Sequence, residues 1–382
     1  DRPPRVCTLC FMVDKKGSLI GRKVGDFTLF NKITEDYYYP APSAEDMLCD
    51  ACGKELHTVL DCVWGFEQID TDEETAELCA THVPFGVYKS KKMPMGIKQG
   101  PAIYQHMQDT AFSNEYRENG ERLARPYFDD THISDHTAEE HFAALAQVLT
   151  IARQYNIQYR LTKCEFFRSE VLLLGFLCSK SGRRVDPKKT DQLKSWPEYK
   201  SPADIESHLA FCNYLREFLG PDYSANTKPL RMYLRKGSDW ANYATDPEAK
   251  EARLWLLDIV LDKCVISVPD WQAAARPWHS GCPFEVWIDA SDLAWCAVLV
   301  QRRVAGGTPY LIGFICKSFS DEATRWSAFE REYFAFREGY RAFEKYVQGF
   351  VIFMLALIFF GTVIQMIHHK NLTYFFKNAK KA

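Results

Sequence analysis

Three aspartates are placed where they could do chemistry. Asp129 and Asp130 adjoin at the tip of RPYFDDTHIS, which reads as strand, tight turn, strand. Asp61 lies inside VLDCVWGFEQI, an apolar run whose Val, Ile and aromatic content predicts a buried strand. Hard Mg2+ takes carboxylate oxygens held on a rigid frame, and two strands that each carry an aspartate provide one. Reactions that run through a pair of divalent cations need such a set. Side chains alternate along a strand, so only one of the adjacent pair can point fully at the cations. Asp129 is the first choice and Asp130 the second. An Asp-Asp pair alone is weak, because such turns are common and usually just solvated. Its meaning depends on its surroundings.

The elements that would position these residues follow from patterning. VCTLCFMV and KVGDFTLF are strand-like and separated by the turn-forming DKKGS. AEDMLCDACGKEL opens after prolines with a serine and early carboxylates, a helix start. GPAIYQHMQDTAF is helical in pattern. TAEEHFAALAQVLTIARQYN predicts an amphipathic helix with a Thr cap, early glutamates, and Phe142, Leu145, Val148, Leu149 and Ala152 on the inward face. SKSGRRVDPKKTDQLKSWP marks a boundary near 180–200, and helices follow to about 265. From 284 the pattern returns to strands (FEVWIDAS, CAVLVQRR, YLIGFICKS) and then a helix (FEREYFAFREGYRAFEKYV).

With 382 residues, 47% hydrophobic and 25% charged, the chain is a globular protein of two to four domains rather than a disordered one. The formal net charge of −3 is uninformative, but its distribution is not. Residues 41–80 carry eleven carboxylates against one lysine, and residues 151–200 carry eleven Lys/Arg against five carboxylates. An acidic pocket beside a basic face suits a protein that holds cations and tracks a phosphate backbone. Thirteen cysteines without a signal peptide predict a reducing, intracellular compartment, cytoplasm or nucleus. The CxxC pairs Cys7/Cys10 and Cys49/Cys52 lack accompanying knuckle residues, so core cysteines are expected there rather than zinc.

The order of segments makes the aspartates specific. VLDCVWGFEQI, VPFGVYKSKKMPMGIKQGPAIYQ, YFDD, the run LTKCEFFRSEVLLLGFLCSKSGRRVDPKKTDQLKSWPEYKSPADIESHLAFCNYLREFLG, WIDASDLAWCAVLVQ and FEREYFAF resemble, nearly collinearly from about 11 to 349, the reverse transcriptases of gypsy-type long-terminal-repeat retrotransposons. The resemblance implies an α/β (α+β) architecture. Right-hand polymerase fingers and palm would occupy 1–180, and a mostly helical thumb and connection 181–280. An incomplete ribonuclease H-like domain would occupy 281–382, with an apolar insertion at 350–367. It implies Asp61, Asp129 and Asp130 as catalytic and metal-binding residues for two Mg2+ ions. The partners would be an RNA or DNA template with primer, and deoxynucleoside triphosphates. Phe66 would pack under the sugar and reject a ribose 2′-hydroxyl. Arg22 and either Lys15 or Lys16 would clamp the triphosphate. Gln99, Gly100 and Pro101 would face nucleotide and template. Leu174 and Gly175 would form the primer grip. Thr28 and Met95 depart from the family pattern, and the residues before about 11 are too few to complete the fingers, which puts efficient polymerisation in question.

In the last domain Asp289 and Glu332 match two of four nuclease carboxylates. His368, in HHKNLTYF, stands at a third position, and the chain ends before the fourth. Imidazole is a poor Mg2+ ligand, so no useful ribonuclease H activity is expected. Residues 350–367, FVIFMLALIFFGTVIQMI, are uncharged. Three readings compete: an extended buried strand or helix, a membrane anchor, and a sequence error. Gly361, Thr362, Gln365 and a length at the lower limit weigh against a span. Two functions remain open: an RNA-directed DNA polymerase, and a catalytically degenerate retroelement protein kept as a structural or interaction subunit, with membrane association a further variant of the second.

Overall fold

The computed structural model describes residue 4 and residues 6–14, 21–220, 222–259, 265–320, 322–348 and 352–356. Lys15 and Lys16, the proposed clamp lysines, lie outside them, as do His368 and residues 357–367 of the apolar run. The chain divides into two units, with the division between Val171 and Leu172.

The first unit begins with β1 (Thr8–Val13), β2 (Arg22–Gly25) and α1 (Thr28–Ile33). KVGDFTLF is therefore not one strand. The Asp26 carboxylate accepts from the Thr28 amide (3.1 Å) and hydroxyl (2.6 Å), which ends the strand and starts the helix. Then come α2 (Ala44–Ala51), β3 (Leu56–Asp61), α3 (Glu73–Leu78), β4 (Thr81–Val83), β5 (Gly86–Tyr88) and α4 (Gly100–Phe112). Next are β6 (Arg125–Tyr127), β7 (Asp130–Asp135), α5 (Ala138–Gln154) and β8 (Glu165–Arg168). One sheet has the order β2-β1-β4-β5, and the sheet that matters for the aspartates has the order β6-β7-β3-β8.

VLDCVWGFEQI is likewise shorter as a strand than its composition predicts. β3 ends at Asp61; Trp64 turns into the left-handed region (φ 46°), and Gly65–Gln68 form a 3-10 turn. The apolar residues after Asp61 pack as a turn because α4 lies against them: Phe66 meets fully buried Tyr104 edge-on at 5.6 Å. Around them Leu60, Phe112, Leu123, Ile133 and Val148 are at most 1% exposed, each contributing roughly 1.5–3 kcal/mol by burial.

Helix α5 carries the expected reciprocal cap. The Glu140 amide donates to Thr137 Oγ1 (3.3 Å) and the Thr137 amide to Glu140 Oε2 (3.2 Å). Its inward face is rotated from the expected one. Leu145, Val148 and Ala152 are buried, but Phe142 and Leu149 are exposed and His141, Ala144 and Ile151 point in. The reason is polar: His141 Nδ1 donates to Asp135 Oδ2 (2.6 Å), and its Nε2 shares a hydrogen bond with Thr58 Oγ1 (2.7 Å) beneath the helix. Of the CxxC cysteines, Cys49 and Cys52 fall at the end of α2, with Cys52 buried, whereas Cys7 is exposed rather than in a core.

The division falls within β9 (Glu170–Leu173), which with β10 (Phe176–Ser179) and β11 (Gly182–Val185) makes a three-stranded antiparallel sheet in the order β11-β10-β9. Helices α6 (Pro187–Lys194), α7 (Pro202–Tyr214), α8 (Tyr223–Asn226), α9 (Lys228–Met232), α10 (Pro247–Leu257), α11 (Trp271–Ala275) and α12 (Pro277–Ser280) follow. The final part is β12 (Phe284–Ala290), β13 (Ala294–Arg302), β14 (Pro309–Ser318), α13 (Ala328–Val347) and β15 (Ile352–Ala356), with sheet order β14-β13-β12-β15. β12 and β13, β13 and β14 are antiparallel, while β15 runs parallel to β12. Residues 352–356 of the apolar run are thus a strand. Among the described residues no helix is long and apolar enough to cross a membrane. α13 lays Ala335, Phe343, Tyr346 and Val347 against Val286, Ile288, Trp295, Ala297 and Leu299 of the sheet.

Candidate active site

The aspartates meet through sheet register. β3 and β7 are antiparallel, and their last paired residues are Asp61 and Asp130. The Cys62 amide donates to the Asp129 carbonyl (2.8 Å), so all three carboxylate-bearing residues share one end of one strand pair. β6 and β7 are joined by the two-residue turn Phe128–Asp129, with Phe128 at φ 49°. An aromatic residue at positive φ is costly, and α4 holds it there. Gln105, 1% exposed, accepts from the Phe128 amide at Oε1 (2.8 Å) and donates from Nε2 to the Pro126 carbonyl (3.3 Å). Gly65 gives Asp129 room: a Cβ there would run into Asp129 Oδ1 and lie 2.8 Å from the Tyr104 ring.

Asp61 is held from a third direction. The Arg160 amide donates to its carbonyl (2.8 Å) and Lys163 Nζ sits 2.8 Å from its Oδ2. Solvent reaches Asp130, yet the surrounding chain desolvates its carboxyl and raises it above the ordinary value; the charges of Asp61 and Asp129 add to the rise and Lys163 opposes it. Three negative groups thus crowd one point, which a cation would relieve. They are not a ready-made cage, however. Among the described residues no group of three His, Cys, Asp or Glu side chains is arranged to hold a metal ion. Mg2+ takes one or two protein carboxylates and fills its other positions with water and phosphate oxygens, so this donor set fits it.

Under the same strands lies a buried polar layer. His57, Thr58, His132 and His141 are at most 1% exposed. His57 Nδ1 faces His132 Nε2 at 3.3 Å, and Arg117 Nη2 pairs with Asp135 at 3.0 Å. Burial pushes His57 down to about 4 and His132 well below its ordinary value, so both are neutral in the fold.

The other expected residues are distributed as follows. Phe66 is half-buried against Tyr104, on the same turn that approaches Asp129. Gln99 precedes α4 and its side chain donates to the Glu35 carbonyl; Gly100 is the buried first residue of that helix and Pro101 follows it. Arg22 starts β2. Leu174 and Gly175, in the second unit, are the two-residue turn of the β9–β10 hairpin, both at positive φ (47° and 78°). That is the backbone of a primed hairpin turn, and Tyr214 of α7 donates its hydroxyl to the Leu174 carbonyl. Asp289 is in β12, half-buried, and Glu332 is on α13, which packs against that strand. Gln105 and Lys163 were not among the expected residues. Lys163 stands in LTKCEF, inside a segment whose resemblance is clear, and the basic surplus of 151–200 is its only local signal. Nothing local marks Gln105.

Residues 15–178 match the family described as reverse transcriptase (RNA-dependent DNA polymerase), and residues 280–382 match the RNase H-like domain found in reverse transcriptase. The chain is 28% identical over 336 residues to the retrovirus-related Pol polyprotein from transposon 297 of Drosophila melanogaster, covering 88% of this chain and 30% of that protein. It is 27% identical over 343 residues to the transposon Tf2-3 polyprotein of Schizosaccharomyces pombe, covering 90% of this chain and 24% of that one. It therefore spans less than a third of the length of these relatives. Two solved structures of foamy viral protease-reverse transcriptase in complex with double-stranded DNA share the fold, with TM-scores of 0.76 and 0.77 at 19% and 18% identity. Each alignment covers 92% of this chain, against 58% and 70% of theirs. The α/β architecture, a reverse transcriptase part followed by an RNase H-like part, is thereby established, and the chain belongs to the reverse transcriptases of gypsy-type long-terminal-repeat retrotransposons.

Proposed function

We propose that this chain extends a nucleic-acid primer with deoxynucleotides on an RNA or DNA template. The observation that carries the reading is the Asp61–Asp130 register, with Asp129 bonded to the next residue of β3. When bound, Mg2+ supplies activation of the primer 3′-hydroxyl and neutralisation of the triphosphate and leaving pyrophosphate. The chain's own part is positional. Asp61 and Asp129 hold the charge, with Asp130 behind them, and Gln105 keeps the Phe128 turn from relaxing. Phe66, braced by Tyr104, supplies a bulky floor that disfavours a ribose 2′-hydroxyl. Leu174 and Gly175 offer a stiff turn for the primer end, and Arg22 with Lys15 or Lys16 a clamp for phosphate. The foamy viral protease-reverse transcriptases that share this fold are solved in complex with double-stranded DNA, which supports a primer–template partner. Ribonuclease H activity is absent in this reading, because His368 replaces a carboxylate beside Asp289 and Glu332. In this reading the protein works inside the cell, in cytoplasm or nucleus.

Primer extension on an RNA template tests the proposal, wild type against Asp129→Asn. Mg2+-dependent incorporation by the wild type and loss in the variant are expected. The second reading, a catalytically degenerate subunit, draws on the Lys163–Asp61 ion pair, which neutralises a carboxylate the cations need. Equal background incorporation by both proteins selects it and ends the polymerase proposal.

A further inference from the structure

We propose that Cys296 and Cys316 are a covalent modification site, joined as a cross-strand disulfide when hydrogen peroxide reaches them. The two residues face each other directly in the β13–β14 register. Antiparallel partners alternate between hydrogen-bonded and non-hydrogen-bonded pairs. The Phe319 amide donates to the Leu293 carbonyl (2.8 Å), one step beyond the Ala294–Ser318 pair, which makes Leu293–Phe319 a hydrogen-bonded position. Counting along the ladder, Trp295–Lys317 is the next such position, and Cys296–Cys316 falls at a non-hydrogen-bonded one. Partners there have Cα atoms about 4.5 Å apart and side chains drawn together, inside the range of about 4.4–6.8 Å that disulfides span.

A second observation agrees. β14 is the edge of its sheet, and on an edge strand the carbonyls of non-hydrogen-bonded positions point outward, away from the ladder. The Cys316 carbonyl does so: Arg216 takes it with Nε (2.9 Å) and Nη2 (2.6 Å). The thiols are in hydrogen-bond contact with each other, and the Ser224 hydroxyl lies 3.9 Å from Cys316 Sγ. Cys296 is 7% exposed and Cys316 1% exposed, so only a water-sized oxidant suits the site. The Cys316 thiol is held below its ordinary range, first by the hydrogen bond from Cys296 and then by the Arg216 guanidinium.

The chemistry balances with hydrogen peroxide as oxidant. The Cys316 thiolate attacks one oxygen of hydrogen peroxide; the O–O bond breaks and the other oxygen leaves as water with the thiol's proton. Cys316 is then a sulfenic acid. The Cys296 sulfur attacks Cys316 sulfur, its proton joins the departing hydroxide, and water leaves. Two thiols are oxidised to one disulfide, and hydrogen peroxide is reduced to two waters. The bond ties the edge strand to β13 on the face opposite α13, in line with Asp289, whose Cα partner is Cys296.

The test uses the full chain. Hydrogen peroxide is added, remaining thiols are alkylated after denaturation, and the digest is read by mass spectrometry, with exposed Cys7 as the control for alkylation. A peptide pair linked through Cys296 and Cys316, released by dithiothreitol, is the expected result. Recovery of both as alkylated thiols overturns the proposal, as does Cys296 linked to a different cysteine, or Cys316 over-oxidised without linkage. A separate readout is thermal unfolding before and after peroxide. The midpoint should rise for the wild type and stay put for Cys296→Ser, and a rise in the variant counts against the site.

Discussion

The strand pair that carries Asp61 and Asp130 and the sheet that carries Asp289 are built on different principles. In the first, the covered layer is polar: His57, Thr58, His132, His141 and Asp135 are buried and joined by hydrogen bonds and an arginine. In the second, α13 lays the apolar Ala335, Phe343 and Val347 and the Tyr346 ring on one face, and eight consecutive residues of β13, seven of them apolar, are buried. The polar layer fixes register, because a one-residue slip would strand each of its donors. The apolar face tolerates change so long as volume is kept. On that difference, the second sheet keeps its packing when a polar position such as Asp289 is changed. Packing and chemistry are separable there, but not at the first site.

The largest test of the contrast is functional. Asp61→Asn should lower nucleotide incorporation on the order of 10²–10³-fold, whereas Asp289→Asn should leave it unchanged; steady-state primer extension measures both. A large loss from Asp289→Asn would break the comparison.

Next in size is acid sensitivity. Unfolded histidine titrates near 6.5 and His57 in the fold at about 4, so between these values the unfolded chain binds more protons. Stability of the first unit should therefore be full above 6.5 and fall as pH drops towards 4. The His57 share approaches about 3 kcal/mol at the acid end. Urea unfolding at a series of pH values, followed separately for the two units, reads this. Equal slopes in both would remove the polar layer as the cause.

Crowding the second sheet should cost less. A side chain at Gly339 of α13 starts 2.9 Å from Ala297 Cβ and 3.1 Å from Ile288 Cδ1. Gly339→Val should destabilise the second unit by about 1–3 kcal/mol with primer extension intact at low temperature, as denaturant midpoints will show. The smallest effect is expected at Asp130. Its carboxyl is raised in the fold, so its contribution is best below the ordinary value of 3.8 and is lost as pH rises. Asp130→Asn should raise the melting midpoint slightly at neutral pH and not at all at pH 3. A fall at neutral pH would mean that the charge crowding is not as described.

Much of the fold is legible without coordinates, because caps and periodicity are local. Thr137 and Glu140 announce α5, and GPAIYQHMQDTAF spans α4 from end to end. FEVWIDAS, CAVLVQRR and YLIGFICKS become β12, β13 and β14. Errors fall where a distant partner overrides the local pattern. Phe142 looks inward on a helical wheel, yet His141 takes the interior because Asp135 and Thr58 await it. VWGFEQI reads as strand, yet Tyr104 of α4 folds it into a turn.

By itself, the sequence determined the three aspartates, the strands and turn that carry them, and the family to which their order belongs. Those are matters of residue type and short-range spacing. Tertiary structure alone decided that Asp61 pairs with Asp130, that Lys163 reaches Asp61, that Gln105 braces the Phe128 turn, and that Cys296 faces Cys316. Each of these joins residues far apart in the chain through sheet register or a buried hydrogen bond. Such contacts depend on how two elements dock, which no single element's pattern encodes.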